Sequence, residues 1–216
     1  MAKEDRTGNR KTRILKREQR IPELGYYYIV TDTKETEQNY LYGLRDSIPD
    51  EIRNKIVIKV VKTSTVDLLE RSMEMFSLDP QYRNPWIVFD RDQVKDFDLI
   101  IERAKGFGIS VGWSNPCIEI WFCAYFDVMP TYTNSVQCNN GFETIFEKKT
   151  GKKYLKSDKD IYKKLCKYGN EEKAIKLAKK KHTEMLKDYK TRPSEMFPCT
   201  LLQNLIEEIK KKGQII

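Results

Sequence analysis

The sequence predicts an α/β protein in which a parallel sheet is flanked by helices and followed by a C-terminal helical extension. Two observations support this fold class. Between residues 26 and 126, four short β-type runs alternate with stretches whose apolar residues recur at helical spacing. After residue 130, the chain is Lys-rich and its regular stretches are helical. Strands that alternate with helices form βαβ units, whose strands are parallel and whose sheet is covered on both faces.

The four predicted strands are rich in β-branched and aromatic residues, which favour strands. In chain order they are Tyr26–Thr31, Lys55–Val61, Trp86–Phe89 and Ile109–Trp113. The second strand alternates apolar and polar residues, which indicates one partly exposed face. The third is apolar throughout and follows Pro85, as expected of a strand that is buried on both faces.

Apolar residues at helical spacing predict a helix after each strand. In chain order these sets are Tyr40, Leu41 and Leu44; Leu68, Leu69, Met73 and Phe76; Phe97, Ile100, Ile101 and Ala104; and Ile118, Trp121, Phe122 and Tyr125. Ser64 begins the second helix and has the spacing of a capping box with Asp67. Gly106 and Gly108 end the third helix, and Pro116 suits the first turn of the fourth.

The segments on either side of this core differ from it in composition. Residues 1–22 are basic and lack apolar periodicity, so we expect a flexible arm. Residues 23–129 form the predicted core. Residues 130–216 begin with a loop-rich bridge at 130–141 and continue as Lys-rich helices. Their most regular helical stretches are 171–189 and 199–212. Since no long Gly/Ser linker separates the two parts, we expect the extension to pack on the core.

The net charge of +8 is unevenly distributed along the chain. Residues 1–20 carry +5 and residues 152–192 carry +9, which leaves −6 for the rest. An acidic middle between basic segments suits an enzyme that holds a cation centrally and binds a polyanion at its edges. A set of solvated Lys-rich helices is the alternative.

Several classes of protein are disfavoured by composition. The five cysteines form an odd set without a CxxC pair, which argues against a disulfide framework and a structural zinc site. The single histidine, His182, leaves little for a catalytic triad or a histidine metal site. No apolar run approaches about 18 residues, so we expect no membrane span. The charged N-terminus is unlike a secretory signal, and we therefore expect a cytoplasmic protein.

Polar residues follow three of the four predicted strands. Asp32 follows the first strand, Asp90 and Asp92 follow the third, and Ser114 and Asn115 follow the fourth. Ligand sites of parallel sheets lie beyond the carboxyl ends of the strands. At the extended end of a strand, the side chains of residues i and i+2 point the same way, so the carboxylates of Asp90 and Asp92 would lie close together. Two negative charges at this distance repel each other unless a cation lies between them. Mg²⁺ or Mn²⁺ is the natural partner of such oxygen ligands.

Structural roles are the alternatives for these residues. Asp92 precedes a predicted helix and suits its N-cap. Asp32 also suits an N-cap, because Glu35 follows it by three residues. Asn115 stands before a proline, as at a capped helix start, and Glu119 suits an exposed helix face. On spacing alone, both sets of roles stay open.

Three segments resemble the RloB-like family in order and spacing: VTDTKETEQNY (30–40), VFDRDQ (88–93) and SNPCIEIWFCAYF (114–126). Proteins of that family have a Toprim fold and are associated with bacterial restriction and phage-defence loci. Toprim proteins use an acid after the first strand as general acid/base and an Asp-x-Asp after the third to hold magnesium. The resemblance thus implies these roles for Asp32 and for Asp90 and Asp92. The chain departs from the family pattern at Asp32-Thr33, where Glu-Gly is usual, because Asp is shorter and Thr lacks the conformational freedom of Gly.

With this resemblance, the sequence predicts a metal-dependent nuclease of anti-phage defence. Mg²⁺ or Mn²⁺ at Asp90 and Asp92 would bind the scissile phosphate. Asp32 or Glu37 would orient or deprotonate the attacking water, and Glu119 would complete the ligand set. Residues expected to bind the substrate are Asn115, Lys152, Lys153, Lys179, Lys180 and Lys181. DNA, tRNA and other RNA are all open as substrates.

Three other functions remain open from sequence. The first is a catalytically weakened Toprim module that binds nucleic acid or a partner protein, which Asp32-Thr33 favours. The second is a phosphotransferase or nucleotide-binding enzyme, against which the absence of a P-loop and of GxGxxG counts. The third is an effector that a sensor protein of a defence system releases. The sequence does not indicate the oligomeric state.

Overall fold

The computed structural model of the chain describes residues 27–31, 35–61, 65–78, 84–92 and 94–214. Its strands are β1 (Tyr27–Thr31), β2 (Ile56–Val60), β3 (Asn84–Asp90), β4 (Ser110–Asn115) and β5 (Cys199–Thr200). Its helices are α1 (Thr36–Asp46), α2 (Asp50–Arg53), α3 (Thr65–Leu78), α4 (Phe97–Gly106), α5 (Glu119–Ala124), α6 (Ser135–Thr150), α7 (Ile161–Tyr168), α8 (Glu171–Lys187) and α9 (Leu202–Gln214), with a short 3-10 helix at Pro193–Glu195. The predicted basic arm at 1–22 and the predicted cap Ser64 lie outside the described residues.

The strands form one sheet in the order β2-β1-β3-β4-β5. The first four strands are parallel, which confirms the predicted α/β class, and β5 runs antiparallel to β4 at the edge. A helix was expected to begin at 199, and this is wrong: Cys199 and Thr200 pair with Asn115 and Ser114 before α9 begins. A strand of two residues is too short to produce a recognisable pattern.

Helices cover both faces of the sheet and bury its central strands, whereas the edge strand β2 is partly exposed on one face. Alternate residues of β1 therefore enter different cores: Tyr27 and Ile29 pack with α1 and α5, whereas Tyr28 and Val30 pack with α3 and α4. This double burial explains why the central strands are apolar along most of their length.

Helices α6 to α9 share the core on the α1 side of the sheet. Cys138, Phe142 and Phe146 of α6 belong to the same buried cluster as Phe122 of α5 and Leu202 of α9. The predicted bridge at 130–141 is a loop only as far as 134, because α6 begins at residue 135. The first turn of α6 is mostly polar, so the helical spacing of its apolar residues is recognisable only from Cys138, Phe142 and Phe146 onward. No helix among the described residues is long and apolar enough to cross a membrane.

Candidate active site

The candidate site lies where the chain order of the sheet reverses, between β1 and β3. From β1 the chain continues outward to β2, whereas β3 and β4 lie on the other side of β1. Loops that leave adjacent parallel strands in opposite directions open a crevice at the carboxyl ends of those strands, where ligands bind. The crevice is bordered by the first turn of α1, the end of β3 and the start of α5.

Three carboxyl groups from these elements meet in the crevice. Glu37 of α1 and Glu119 of α5 are almost completely buried, at 2% and 1% exposure. Asp90 ends β3 and is partly exposed, yet burial of its carboxyl group is the largest cause that raises its pKa well above the usual value. The negative charges of Glu37 and Glu119 raise the pKa of Asp90 further, as does a hydrogen bond with Glu37. Burial, the two neighbouring charges and the hydrogen bond all favour the protonated form of Asp90.

The local backbone holds Asp90 in place at the start of α5. The backbone N–H of Ile118 donates to Asp90 Oδ2 at 3.0 Å, and this bond acts against the rise in the pKa of Asp90. Ile118 is the N-cap residue of α5, so the carboxyl group satisfies an N–H at the helix start. Asp90 thus links the end of β3 to the element that carries Glu119.

Glu119 is held by a loop of the helical extension. The Tyr154 hydroxyl donates to Glu119 Oε1 at 2.9 Å, and burial raises the pKa of Tyr154. Lys156 Nζ lies 3.9 Å from the same oxygen. The expectation that Glu119 occupies an exposed helix face is wrong, because its face of α5 lies under this loop. Sequence reasoning missed Tyr154 and Lys156, since nothing local connects a loop residue with an acid 35 positions earlier.

Asp92 has different partners from Asp90. Its Oδ1 accepts a hydrogen bond from Ser135 Oγ at 2.6 Å, and the side chain is exposed. Strand β3 ends at Asp90, and Asp92 has a φ of 33°, so the extended tip that would point both carboxylates the same way is absent. The N-cap alternative for Asp92 is also wrong, because α4 begins at Phe97 and Asp96 precedes it.

Asn115 connects β4 to the segment after α8. It lies within β4 rather than after it, and its Nδ2 donates to the carbonyl oxygens of Pro193 and Ser194 at 3.1 and 3.2 Å. The helix-cap alternative is wrong, because Ile118 is the N-cap residue of α5. Both amide hydrogens of Asn115 are engaged, so contact with a phosphate would require one of these bonds to break. The phosphate contact stays a prediction.

The predicted substrate-binding lysines lie on the surface, mostly in ion pairs. Lys179 contacts Glu207 at 2.6 Å, while Lys181 and Lys180 contact Glu184 at 3.0 and 3.9 Å. Lys153 Nζ lies 4.0 Å from Glu143, and Lys152 is exposed. Exposed pairs contribute about 0–1 kcal/mol, so a polyanion could displace them at little cost. Contact between these lysines and nucleic acid stays a prediction.

The carboxyl groups of the site match the chemistry of a hard divalent cation. Glu37, Asp90 and Glu119 offer only oxygen ligands, and burying three acids together favours a positive charge beside them. Asp32 lies outside the described residues. Within the parts of the chain that the structure describes, no three acidic, Cys or His side chains stand in the arrangement of a metal site. Metal binding at Asp90 and Asp92 therefore stays a prediction.

An open pocket of about 510 Å³ lies beside the segment that follows Asp90, and none of Glu37, Asp90 and Glu119 lines it. Arg91, Asp92 and Asn115 line it on the side of the sheet, and Tyr132, Ser135 and Phe197 are among its other lining residues. Of these six residues, sequence reasoning identified only Asp92 and Asn115 as candidates. The others come from loops and a helix start whose approach to the strand ends depends on the tertiary fold.

Comparison with known proteins agrees with the sequence resemblance. The model of the RloB-like protein family matches residues 27–209, a range that includes all three segments that carry the resemblance. No curated protein and no solved structure matches the chain significantly. Since the matched region covers most of the 216 residues, the chain belongs to the RloB-like protein family.

Proposed function

We propose that this chain is a Mg²⁺- or Mn²⁺-dependent nuclease that hydrolyses nucleic-acid phosphodiesters in bacterial anti-phage defence. The observation that carries the proposal is the buried set of Glu37, Asp90 and Glu119 at the switch point of the sheet. The basic segments of the chain and its membership of the RloB-like family support a polyanionic substrate and a defence role.

A purely structural role explains this set of acids poorly. Removing charged groups from water is expensive, and like charges add repulsion to that cost. Apolar residues of similar size at Glu37, Asp90 and Glu119 would stabilise the fold more. Strongly shifted pKa values in a crevice are typical of functional sites. We therefore attribute the set to metal-assisted chemistry.

Asp90 would hold the metal with Glu37 and Glu119 beside it, and Asp92 would join it as a ligand once its Oδ1 leaves Ser135 Oγ. A bound Mg²⁺ or Mn²⁺ would supply charge neutralisation at the scissile phosphate. Glu37, or Asp32 outside the described residues, would accept the proton of the attacking water. Tyr154 fixes the orientation of Glu119 through its hydroxyl group, and Lys156 places a positive charge near the same carboxylate.

The test is an incubation of the purified full chain with plasmid, single-stranded DNA and total tRNA, in Mg²⁺, in Mn²⁺ and in chelator. We expect cleavage of at least one substrate only with metal. Asp90→Asn should abolish the cleavage, whereas Asp96→Asn should retain it, because Asp96 is exposed and makes no capping bond with its side chain. Cleavage by Asp90→Asn at the wild-type rate would contradict the proposal.

A catalytically weakened module that binds nucleic acid or a partner protein is the second candidate. Two observations favour it: Asp32-Thr33 replaces the Glu-Gly that is usual in the family, and the described residues contain no preformed group of three metal ligands. This candidate predicts salt-sensitive binding to nucleic acid, or capture of a defence-system protein, without a metal-dependent product in the same incubations.

A further inference from the structure

The open pocket at Arg91 and Asp92 has the size of a small-ligand site. Its volume of about 510 Å³ falls within the range of roughly 300–1,000 Å³ that such sites occupy. It lies between the end of β3, which carries Asp90, and the start of α6, which carries Ser135. A duplex is too wide for a pocket of this volume, whereas one nucleotide is a ligand of suitable size.

Two aromatic side chains line the pocket. Tyr132 lies against α6 at Gly141, where an added Cβ atom would clash with the tyrosine oxygen and ring. Gly141 therefore makes room for this ring. Phe197 is 39% exposed, and Lys190 Nζ lies 5.5 Å from the centre of its ring. A nucleobase stacked on either ring would cover apolar surface that now faces solvent.

Groups that favour an anion lie on the same lining. Arg91 Nη1 donates to the backbone oxygen of Asp92 at 3.0 Å, whereas its buried Nε has no hydrogen-bond partner within the described parts of the chain. Ser135 and Val136 belong to the first turn of α6, whose N–H groups have no acceptor within the helix. A phosphate in the pocket would accept from the N–H groups at the start of α6 and lie beside the positive charge of Arg91. Asp92 is the opposing negative charge, and its Oδ1 accepts from Ser135 Oγ.

We propose that this pocket binds one unpaired nucleotide of a nucleic-acid strand. Its base lies against both Tyr132 and Phe197, and its phosphate lies at Arg91 and the first turn of α6. The position of this nucleotide next to the scissile phosphate rests on the proposed function. Binding of the nucleotide in the pocket does not require catalysis. A base within a duplex must leave its stack to enter such a pocket, so the pocket selects single-stranded or locally opened substrates.

The test is fluorescence anisotropy with the full chain in chelator, using a labelled single-stranded DNA, the RNA of the same sequence and the corresponding duplex. We expect tighter binding to a single strand than to the duplex, and the DNA and RNA arms identify the sugar. Phe197→Ala and Tyr132→Ala should each weaken single-strand binding by about 5- to 150-fold, the effect of losing one stacked base. Phe107→Ala is the matched control, because Phe107 is 55% exposed and lies outside the pocket lining.

A second readout uses the charge of Arg91. Arg91→Met should reduce the slope of log K against log salt by about 0.7, the value for one phosphate contact on a single strand. Arg71→Met is the control, because Arg71 is exposed on α3, outside the pocket lining.

Wild-type affinity in Phe197→Ala, or a wild-type preference for the duplex, would overturn the inference. Phe197 is exposed, so its variant is decisive even if Tyr132→Ala fails to fold. If the pocket variants bind more weakly but the wild type shows no metal-dependent cleavage, the nucleotide-binding pocket is supported and the nuclease function is rejected. Metal-dependent cleavage with unchanged binding in Phe197→Ala would support the nuclease and reject the pocket.

Discussion

Replacement of Asp90 by Asn should stabilise the metal-free protein at neutral pH. Asn keeps an oxygen that can accept the N–H of Ile118, and it removes one acid from the set with Glu37 and Glu119. The folded protein raises the pKa of Asp90, so folding favours the protonated form. Between the unfolded pKa, about 3.9, and the higher folded pKa, the folded state binds more protons than the unfolded state. The wild type therefore loses stability as the pH rises through this window, and Asp90→Asn lacks that loss.

The size of the effect follows from the exchange of one proton. One group changes the free energy of unfolding by at most about 1.4 kcal/mol per pH unit. For a chain of this length, 1 kcal/mol corresponds to roughly 2–4 °C in Tm. The Tm of Asp90→Asn minus that of the wild type should therefore increase by up to roughly 3–6 °C for each pH unit above about 4. The increase should stop when the pH reaches the pKa of Asp90 in the folded protein.

The assay is thermal unfolding in chelator across pH 4.5 to 8, followed by the same series with Mg²⁺. With Mg²⁺ at about 100 times its Kd, the wild type should gain about 2.7 kcal/mol, and Asp90→Asn should gain nothing. Asp96→Asn is the control and should follow the wild type in both series. A difference between Asp90→Asn and the wild type that does not change with pH would refute the raised pKa of Asp90 in the folded protein.

Two further substitutions test the surroundings of the site. Tyr154→Phe removes the hydroxyl group that donates a hydrogen bond to the buried Glu119. The free energy of unfolding measured by urea denaturation should therefore fall by about 1–3 kcal/mol. An unchanged free energy of unfolding would mean that Glu119 finds another donor. Gly141→Ala forces a Cβ atom into Tyr132 and should cost about 1–3 kcal/mol in the same measurement. Gly106→Ala is its control, because nothing lies within 4 Å of the added atom and a small gain is expected. Equal stability of the two glycine variants would contradict the packing of Tyr132 on α6.

Much of the fold could be predicted because its central strands and helices have strong periodic patterns. Strand β3 extends beyond its predicted range at both ends, because its terminal residues Asn84 and Asp90 are polar and do not continue the apolar run that predicted the strand. Strand β5 and the start of α6 could not be predicted in this way. A two-residue strand has no period, and α6 begins with the polar residues Ser135 and Gln137.

The candidate site was predictable only in part. Glu37 and Glu119 were identified as candidates, and the structure places them with Asp90. That Asp92 turns away to Ser135 depends on the backbone after β3, which the order of residues does not specify. Tyr154 reaches the site from a loop of the extension, and such a contact follows from the packing of α6 and α7 and has no local signal.

Titration calorimetry with Mn²⁺ tests the central claim most directly. We predict saturable binding to the wild type and to Asp96→Asn, and no measurable binding to Asp90→Asn, with all three proteins folded. Equal binding by the three proteins, or no binding by any of them, would contradict a metal-dependent site at the carboxyl ends of β1 and β3.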